Sequence, residues 1–357
     1  MNPERYSRQT ILKDFGPEAQ QKLAKAKVLV VGAGGLGIPV MTYLNAMGVG
    51  TLGIVDLDRV ALSNLHRQVL YAESDIGKSK VSVALSKLKA QNSNTDLRGH
   101  EMFLDRDNAL ETIRPYDLVV DASDNFPTRY LINDACVILS KPFIYGALHG
   151  FEGQVSVFNY KGGASYRCLY PKMPKASEVP NCDQHGVLGI LPGIVGNLQA
   201  LEAIKVITGI GEVLSGTLLL FDGVVNGFQK IKFSSLPENM IIDRLQGNYE
   251  LDCGLSFESV TPETFERLLA SGPLQLIDVR NTDEFQSFHI ANSINIPLSE
   301  LARRKGEIDM TVPAYFLCQS GIRSQKAIFE LEPFYSSAQL VNVTGGINQL
   351  HQYAAKY

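Results

Sequence analysis

The earliest clear pattern along the chain is the apolar run Lys27-Val28-Leu29-Val30-Val31, which stops at Gly32-Ala33-Gly34-Gly35-Leu36-Gly37 and gives way to a helical stretch over residues 38–47. That order predicts strand, glycine turn, helix. A second apolar strand over 51–55 ends in Asp56, and a third over 116–120 ends in Asp121-Ala122-Ser123-Asp124. Helical segments over 79–90 and 129–139 follow the second and third strands, and such alternation predicts a parallel, doubly wound α/β sheet. Ligands of such sheets sit outside the carboxyl ends of the strands, where these acidic residues fall.

Beyond residue 143 the pattern changes. Residues 153–158 alternate as a strand, 217–221 and 229–233 read as further, antiparallel strands, and between them residues 196–208 carry apolar positions at helical spacing. Together they predict a mixed sheet. Residues 165–189 are polar and proline-rich with no period, which predicts a long loop of the kind that usually carries function. A second break lies between 234 and 259. After it, Thr261-Pro262-Glu263 signals a helix start with Thr as cap and Pro in the first turn, followed by strands over 275–279 and 315–317 and a helix over 324–329. The expected layout is an α/β domain over 1–245, a linker over 246–258 and a small α/β domain over 259–357.

With 357 residues, 45% hydrophobic and 20% charged, the chain has the composition of a globular protein large enough for two cores. A formal charge of −4 is the wrong sign for a general nucleic-acid footprint. No uninterrupted apolar run is long enough to span a membrane, and MNPERYSRQT has no signal-peptide core. Five cysteines spread from Cys136 to Cys318 do not make a disulfide framework. A reducing cytoplasm, with no membrane or nucleic-acid partner, is the expectation.

The turn Gly32-x-Gly34-x-x-Gly37 after a strand brings backbone N–H groups and a helix N-terminus against a phosphate, and Asp56 at the next strand end suits ribose hydroxyls. These features fit any adenine nucleotide. The run Asp56-Leu57-Asp58-Arg59-Val60-Ala61-Leu62-Ser63-Asn64-Leu65-His66-Arg67-Gln68, with Lys80 and Asp124 after it, narrows the choice. Hydride transfer leaves the pyrophosphate intact and needs no cations over it, whereas adenylation must stabilise a departing pyrophosphate.

In these motifs, from Arg5-Tyr6-Ser7-Arg8-Gln9 to about Val225, the sequence resembles the MoeB/ThiF family of ubiquitin-activating-like enzymes. The resemblance implies a Rossmann-like adenylation domain using ATP and Mg²⁺. Asp56 would hold the ribose, Asn64, Arg67 and Lys80 the phosphates, with Gln68 in the same nucleotide set, and Asp124 the Mg²⁺. Arg8 would reach the ATP of a neighbouring subunit, which implies a homodimer.

Cys182, in Val179-Pro180-Asn181-Cys182-Asp183-Gln184-His185, resembles the cysteine of the family's crossover loop, and its polar setting suits a reactive thiol; His185 has no assigned part. Cys136, in an apolar helical stretch, reads as core. Many relatives hold structural zinc through two Cys-x-x-Cys pairs, but here Ser165 with Cys168 and Glu250 with Cys253 stand at those positions, so no structural zinc is expected.

Cys318-Gln319-Ser320-Gly321-Ile322-Arg323-Ser324 follows a strand and precedes a helix, where backbone N–H groups stabilise a thiolate or persulfide and Arg323 can add positive charge. Four residues separate Cys318 from Arg323, one fewer than cysteine-dependent phosphatases place around phosphate, and the smaller ring suits sulfur. From about Ser259 the chain resembles rhodanese sulfurtransferases, through Asp278-Val279-Arg280, Glu284-Phe285, His289 to Pro297 and Gly345-Gly346-Ile347. Asp278, Arg280 and His289 read as structural pins, and Leu350 takes the place of a usual Trp.

Together the resemblances imply ATP-dependent adenylation of the C-terminal glycine of a small ubiquitin-like sulfur carrier ending in Gly-Gly. Sulfur transfer from a Cys318 persulfide would then give a thiocarboxylate, as molybdopterin synthesis, thiamine synthesis and tRNA thiolation require. Cys182 would resolve an acyl-disulfide or first form a thioester, and a cysteine desulfurase or a small thiosulfate-like molecule would supply sulfur. The alternatives are a non-catalytic docking protein for ubiquitin-like carriers and a nicotinamide-dependent oxidoreductase fused to a sulfur carrier.

Overall fold

The computed structural model describes residues 3–174, 186–247, 249, 258–331, 334 and 339–350. They form two compact units, one ending near residue 249 and one beginning near residue 258.

The first unit is built on one eight-stranded sheet in the order β3-β2-β1-β4-β5-β6-β7-β8. Its strands are β1 Lys27–Val31, β2 Thr51–Val55, β3 Asp96–His100, β4 Leu118–Asp121, β5 Phe143–His149, β6 Glu152–Phe158, β7 Thr217–Asp222 and β8 Gly227–Lys232. The first five run parallel and the last three antiparallel, as the mixed pattern predicts. The chain leaves β1 for β2 on one side and returns to β4 on the other. That reversal opens a crevice at the carboxyl ends of β1 and β4.

Successive side chains of a strand point to opposite faces, and both faces here are covered. Val28, Val30, Leu52, Leu118 and Val120 pack against Val40 and Leu44 of helix α3 (Gly37–Ala46) and against Val195, Ala203 and Ile204. Leu29, Val31 and Val119 face Tyr130, Leu131 and Cys136 of a helix on the other side. Cys136 is fully buried, and burial raises its thiol well above the ordinary range, so it is a core residue.

The helices around the sheet are α1 Ser7–Thr10, α2 Gly16–Lys25, α3, α4 Lys80–Gln91, α5 Ala109–Ile113, α6 Phe126–Ile138, α7 Tyr166–Leu169 and α8 Ile190–Thr208. Helix α6 starts earlier than the sequence pattern indicates. Asn125 caps it by accepting the Thr128 N–H at 2.9 Å, and a proline sits in its first turn. Helix α8 likewise starts six residues early, with Pro192 in its first turn. It is apolar enough and, at 19 residues, long enough to cross a membrane by composition, but it packs on β5, β6, α2 and α3. β3 has no counterpart in the sequence reading because it is an edge strand, largely exposed and polar.

The second unit is a five-stranded parallel sheet, ordered β11-β10-β12-β13-β9. The strands are β9 Glu258–Val260, β10 Gln275–Asp278, β11 Ile294–Asn295, β12 Ala314–Leu317 and β13 Leu340–Val343. Helix α9 (Pro262–Ser271) begins at the expected cap, Thr261, whose hydroxyl accepts the Thr264 N–H. Helices α10 (Thr282–Ser287), α11 (Leu301–Arg304) and α12 (Ile322–Leu331) follow. Leu350 is fully buried with Phe265, Leu317, Val343 and Ile347, so it fills the tryptophan position by packing.

One buried ion pair secures the first unit away from the crevice. Asp134 of α6 takes two bonds from Arg167, at 2.7 and 2.8 Å, and a third from the Tyr249 hydroxyl at 2.7 Å. Removing one partner of such a pair strands the other charge. Asp134→Ala should cost about 3–5 kcal/mol, read as a lower denaturant midpoint for the first unit; an unchanged midpoint contradicts this account.

Candidate functional site

The crevice holds a cavity of about 610 Å³ lined by the glycine turn, the ends of β2 and β4, and residues from 64 to 68. Gly32, Gly34, Asp56, Asn64, Arg67, Gln68, Lys80 and Asp124 all line it. Residues scattered over more than ninety positions of sequence are therefore brought around one space.

The glycines divide by role. Gly32 has φ +103°, a conformation L side chains rarely adopt, and a Cβ there would meet the Ala122 carbonyl oxygen at 2.5 Å. A Cβ on Gly37 would lie 1.9 Å from the Gly32 carbonyl oxygen. Gly37 does not line the cavity; it lets the helix close on the turn. At Gly34 a Cβ would only reach ordinary contact, 3.5 Å, with the buried side-chain amide of Gln68.

Asp56 fastens this turn. Its Oδ2 accepts the Ala33 N–H at 2.7 Å and its Oδ1 the Asp58 N–H at 2.8 Å. Burial raises its pKa and neighbouring Asp58 adds to this, while Lys80 opposes both. Lys80 is itself buried and donates to Asp58 at 2.8 Å. Burial acts to lower its pKa, but Asp56, Asp58 and Asp124 outweigh that and hold it above the ordinary lysine value. A charged ammonium thus stands in the cavity wall.

Arg67 is half-buried and donates to the Ser63 carbonyl at 3.0 Å, and Asn64 Oδ1 accepts the Ala61 N–H at 3.3 Å. Gln68 is buried with its Oε1 unpartnered. Asp124 is exposed, its Oδ1 3.5 Å from the Asn125 amide. Among the described residues no group of three or more His, Cys, Asp or Glu converges as a metal cage. A single exposed carboxylate fits Mg²⁺, which keeps several waters and is bound through one or two carboxylates plus substrate phosphates.

Sequence reasoning missed Arg129 and the part played by Asp121. Arg129 lines the cavity, is buried between Phe126 and Tyr145, and donates to the Ser123 carbonyl at 3.1 Å. Asp121 is fully buried, and its Oδ1 takes both the N–H and the hydroxyl of Ser123, at 3.0 and 2.6 Å. Between them they hold the turn that presents Asp124. A cation five positions after Asp124 was the available signal. Arg8 lies exposed on α1 and does not line the cavity. Cys182 and His185 lie outside the described residues, as do Glu250 and Cys253. Ser165 and Cys168 are buried 3.4 Å apart: the Ser165 hydroxyl donates to the Asn239 carbonyl and Cys168 Sγ accepts the Leu236 N–H.

In the second unit Cys318 follows β12 and is fully buried. Its Sγ accepts the Gly321 N–H at 3.1 Å and lies 3.5 Å from the Ser324 hydroxyl. Gly321 has φ +85°, and a Cβ on Gly346 would meet the Cys318 carbonyl oxygen at 2.3 Å. The Gly345-Gly346-Ile347 turn closes on the loop through the Ile347 N–H, which donates to that carbonyl at 2.9 Å. Arg280 is buried on Asp278 and also donates to the Phe288 carbonyl, which pins the fold. His289 stacks on Phe285. Arg323, expected to lend its charge to sulfur, is engaged by Glu284 through two bonds of 2.6 and 2.7 Å.

Gly37→Ala should therefore destabilise the first unit by about 1–3 kcal/mol, whereas Gly34→Ala should leave its melting temperature nearly unchanged and raise the KM for ATP roughly tenfold. Equal effects of the two substitutions on melting would contradict the division of roles.

Residues 6–240 match the ThiF family model and residues 261–353 the rhodanese-like domain model. The chain is 39% identical over 374 residues to the adenylyltransferase and sulfurtransferase MOCS3 of Aedes aegypti, covering 96% of this chain and 85% of that one. It is 50% identical over 262 residues to the sulfur carrier protein adenylyltransferase of Thermus thermophilus, covering 71% of this chain and 97% of that one. E. coli MccB with ATP shares the fold, at TM-score 0.58 and 23% identity over 66% of this chain and 73% of that one. With the nucleotide-type crevice in one unit and the cysteine loop in the other, the chain belongs to the ThiF family, as an adenylyltransferase joined to a rhodanese-like sulfurtransferase domain.

Proposed function

We propose that the first unit adenylates the C-terminal glycine of a small ubiquitin-like sulfur carrier ending in Gly-Gly, and that the second unit supplies the sulfur that converts it to a thiocarboxylate. The observation that carries this reading is the convergence of Lys80, Arg67, Asn64 and Asp124 on one crevice with the glycine turn. The carrier carboxylate attacks the α-phosphorus of ATP, the bond to the β-phosphate oxygen breaks, and pyrophosphate leaves. Lys80 and Arg67 stand where they can neutralise the charge that develops on it. Asp124 would hold Mg²⁺, whose part is to offset phosphate charge. Asp121 and Arg129 keep Asp124 in place, and Arg8 completes the ATP site of a second subunit in a homodimer.

Sulfur enters at Cys318 as a persulfide delivered by a donor such as a cysteine desulfurase, in the reducing cytoplasm where free thiols persist. Its terminal sulfur attacks the adenylate carbonyl, the bond to the phosphate oxygen breaks, AMP leaves, and an acyl-disulfide forms. Cys182 then attacks the Cys318 sulfur, releasing the thiocarboxylate and leaving a Cys182–Cys318 disulfide for a cellular dithiol to reduce. Molybdopterin synthesis and tRNA thiolation are the pathways that consume such a carrier.

ATP–pyrophosphate exchange in the presence of carrier tests the first half. Arg67→Ala and Asp124→Ala should each lower the exchange rate by about 10²-fold or more, and chelation of divalent metal should abolish exchange while leaving persulfide loading of Cys318 intact. Wild-type exchange rates in both variants would overturn the site assignment.

A further inference from the structure

Both guanidinium groups beside the Cys318 loop are engaged by carboxylates. Arg280 is buried against Asp278, with Nη2 2.7 Å from Oδ2. Arg323 gives Nη1 and Nη2 to the two oxygens of Glu284. The second pair is the outer one: the Arg323 and Glu284 side chains keep 24% and 33% of their exposure. A partly exposed pair of this kind contributes little to stability. Its larger effect is on the charge that the loop presents to an approaching anion.

Glu284 is held ready for this by its own helix. At the third position of α10, its Oε2 also accepts the Asn281 N–H at 2.9 Å, closing a capping box. Burial works to raise its pKa, but the bonds from Arg323 and Asn281 prevail and hold it below the usual carboxylate range. It is therefore ionised at neutral pH, and it neutralises Arg323 in a two-bond geometry that favours guanidinium over other cations.

The charge demand of the donor then decides which one fits. Thiosulfate is a dianion. When the Cys318 thiolate attacks its outer sulfur, the S–S bond breaks, sulfite leaves with the electron pair and Cys318 becomes a persulfide anion. That encounter gathers three negative charges, against which Cys318 Sγ has the Gly321 N–H, while the Ser324 hydroxyl beside it donates to the Asn342 Oδ1 at 2.7 Å. A perthiol carried on a protein cysteine makes a smaller demand. The thiolate attacks its terminal sulfur, the donor cysteine leaves as thiolate, and the proton stays on the transferred sulfur.

We propose that Glu284 is a specificity-determining residue for the sulfur donor: by neutralising Arg323 it turns the Cys318 loop away from small dianionic donors of the thiosulfate class and toward a protein-borne perthiol. The proposal rests on the sulfur-transfer reading above.

The test compares two donors on the full chain, thiosulfate and a cysteine desulfurase charged from L-cysteine, with intact mass reporting persulfide on Cys318. Glu284→Gln keeps the capping box, since Gln serves at that position, and removes the charge. Its kcat/KM for thiosulfate should rise about tenfold at low ionic strength and fall back as salt is added. Transfer from the desulfurase should change less than about twofold. Adding Arg323→Gln to that variant should cancel the gain, which a purely structural role for Glu284 does not predict. A thiosulfate rate in Glu284→Gln equal to or below wild type, with desulfurase loading intact, overturns the assignment of Glu284. Failure of wild type to gain persulfide from either donor overturns the sulfur-transfer reading itself.

Discussion

The carboxylate of Asp56 is the junction on which the first unit's site depends. One oxygen holds the glycine turn through Ala33, the other holds the start of the next segment through Asp58, and its charge helps keep buried Lys80 protonated. Burial penalises both ions, and each relieves the other. Neutralising Asp56 would loosen the turn and remove part of what sustains the cation in the cavity wall. The same carboxylate is thus a fold element and the setting of the site's electrostatics.

The two units solve related problems with the same backbone device at different scale. In each, a parallel strand runs into a turn that contains a glycine of positive φ, Gly32 directly after β1 and Gly321 four residues after β12, and the turn leads into a helix whose N-terminal N–H groups suit an anion. Lys80, Arg67 and Asp124 line a cavity of about 610 Å³ in the first, which suits the proposed task of holding a polyphosphate and letting pyrophosphate go. The second needs to stabilise one sulfur anion. Its loop is closed around a buried Cys318 by the Gly345-Gly346 turn, and its nearby guanidiniums are paired with carboxylates.

Much of the architecture was legible because buried parallel strands are written as short apolar runs: β1, β2 and β10 stand within a residue of where the hydrophobic pattern puts them. β3 was not, because an edge strand needs no apolar run, and β13 was not, because buried Asn342 interrupts four residues that are otherwise apolar. The line of cavity-lining residues from Gly32 to Lys80 was legible as motif. Arg129 was not, since a cation on a helix reads as solvated until Phe126 and Tyr145 are seen to enclose it. The Arg323–Glu284 pair joins residues 39 positions apart, which only the folded sheet brings together.

If adenylation and sulfur transfer on this one chain act on the same carboxylate, the carrier gains sulfur only when both units work. Intact mass spectrometry of a Gly-Gly-ending carrier, incubated with the full chain, ATP, Mg²⁺ and a charged cysteine desulfurase, measures this directly. The account predicts a mass gain equal to one oxygen-for-sulfur exchange at the carrier C-terminus, absent with Cys318→Ala and absent without ATP. Conversion of the carrier to thiocarboxylate by Cys318→Ala at the wild-type rate, or without ATP, would contradict it.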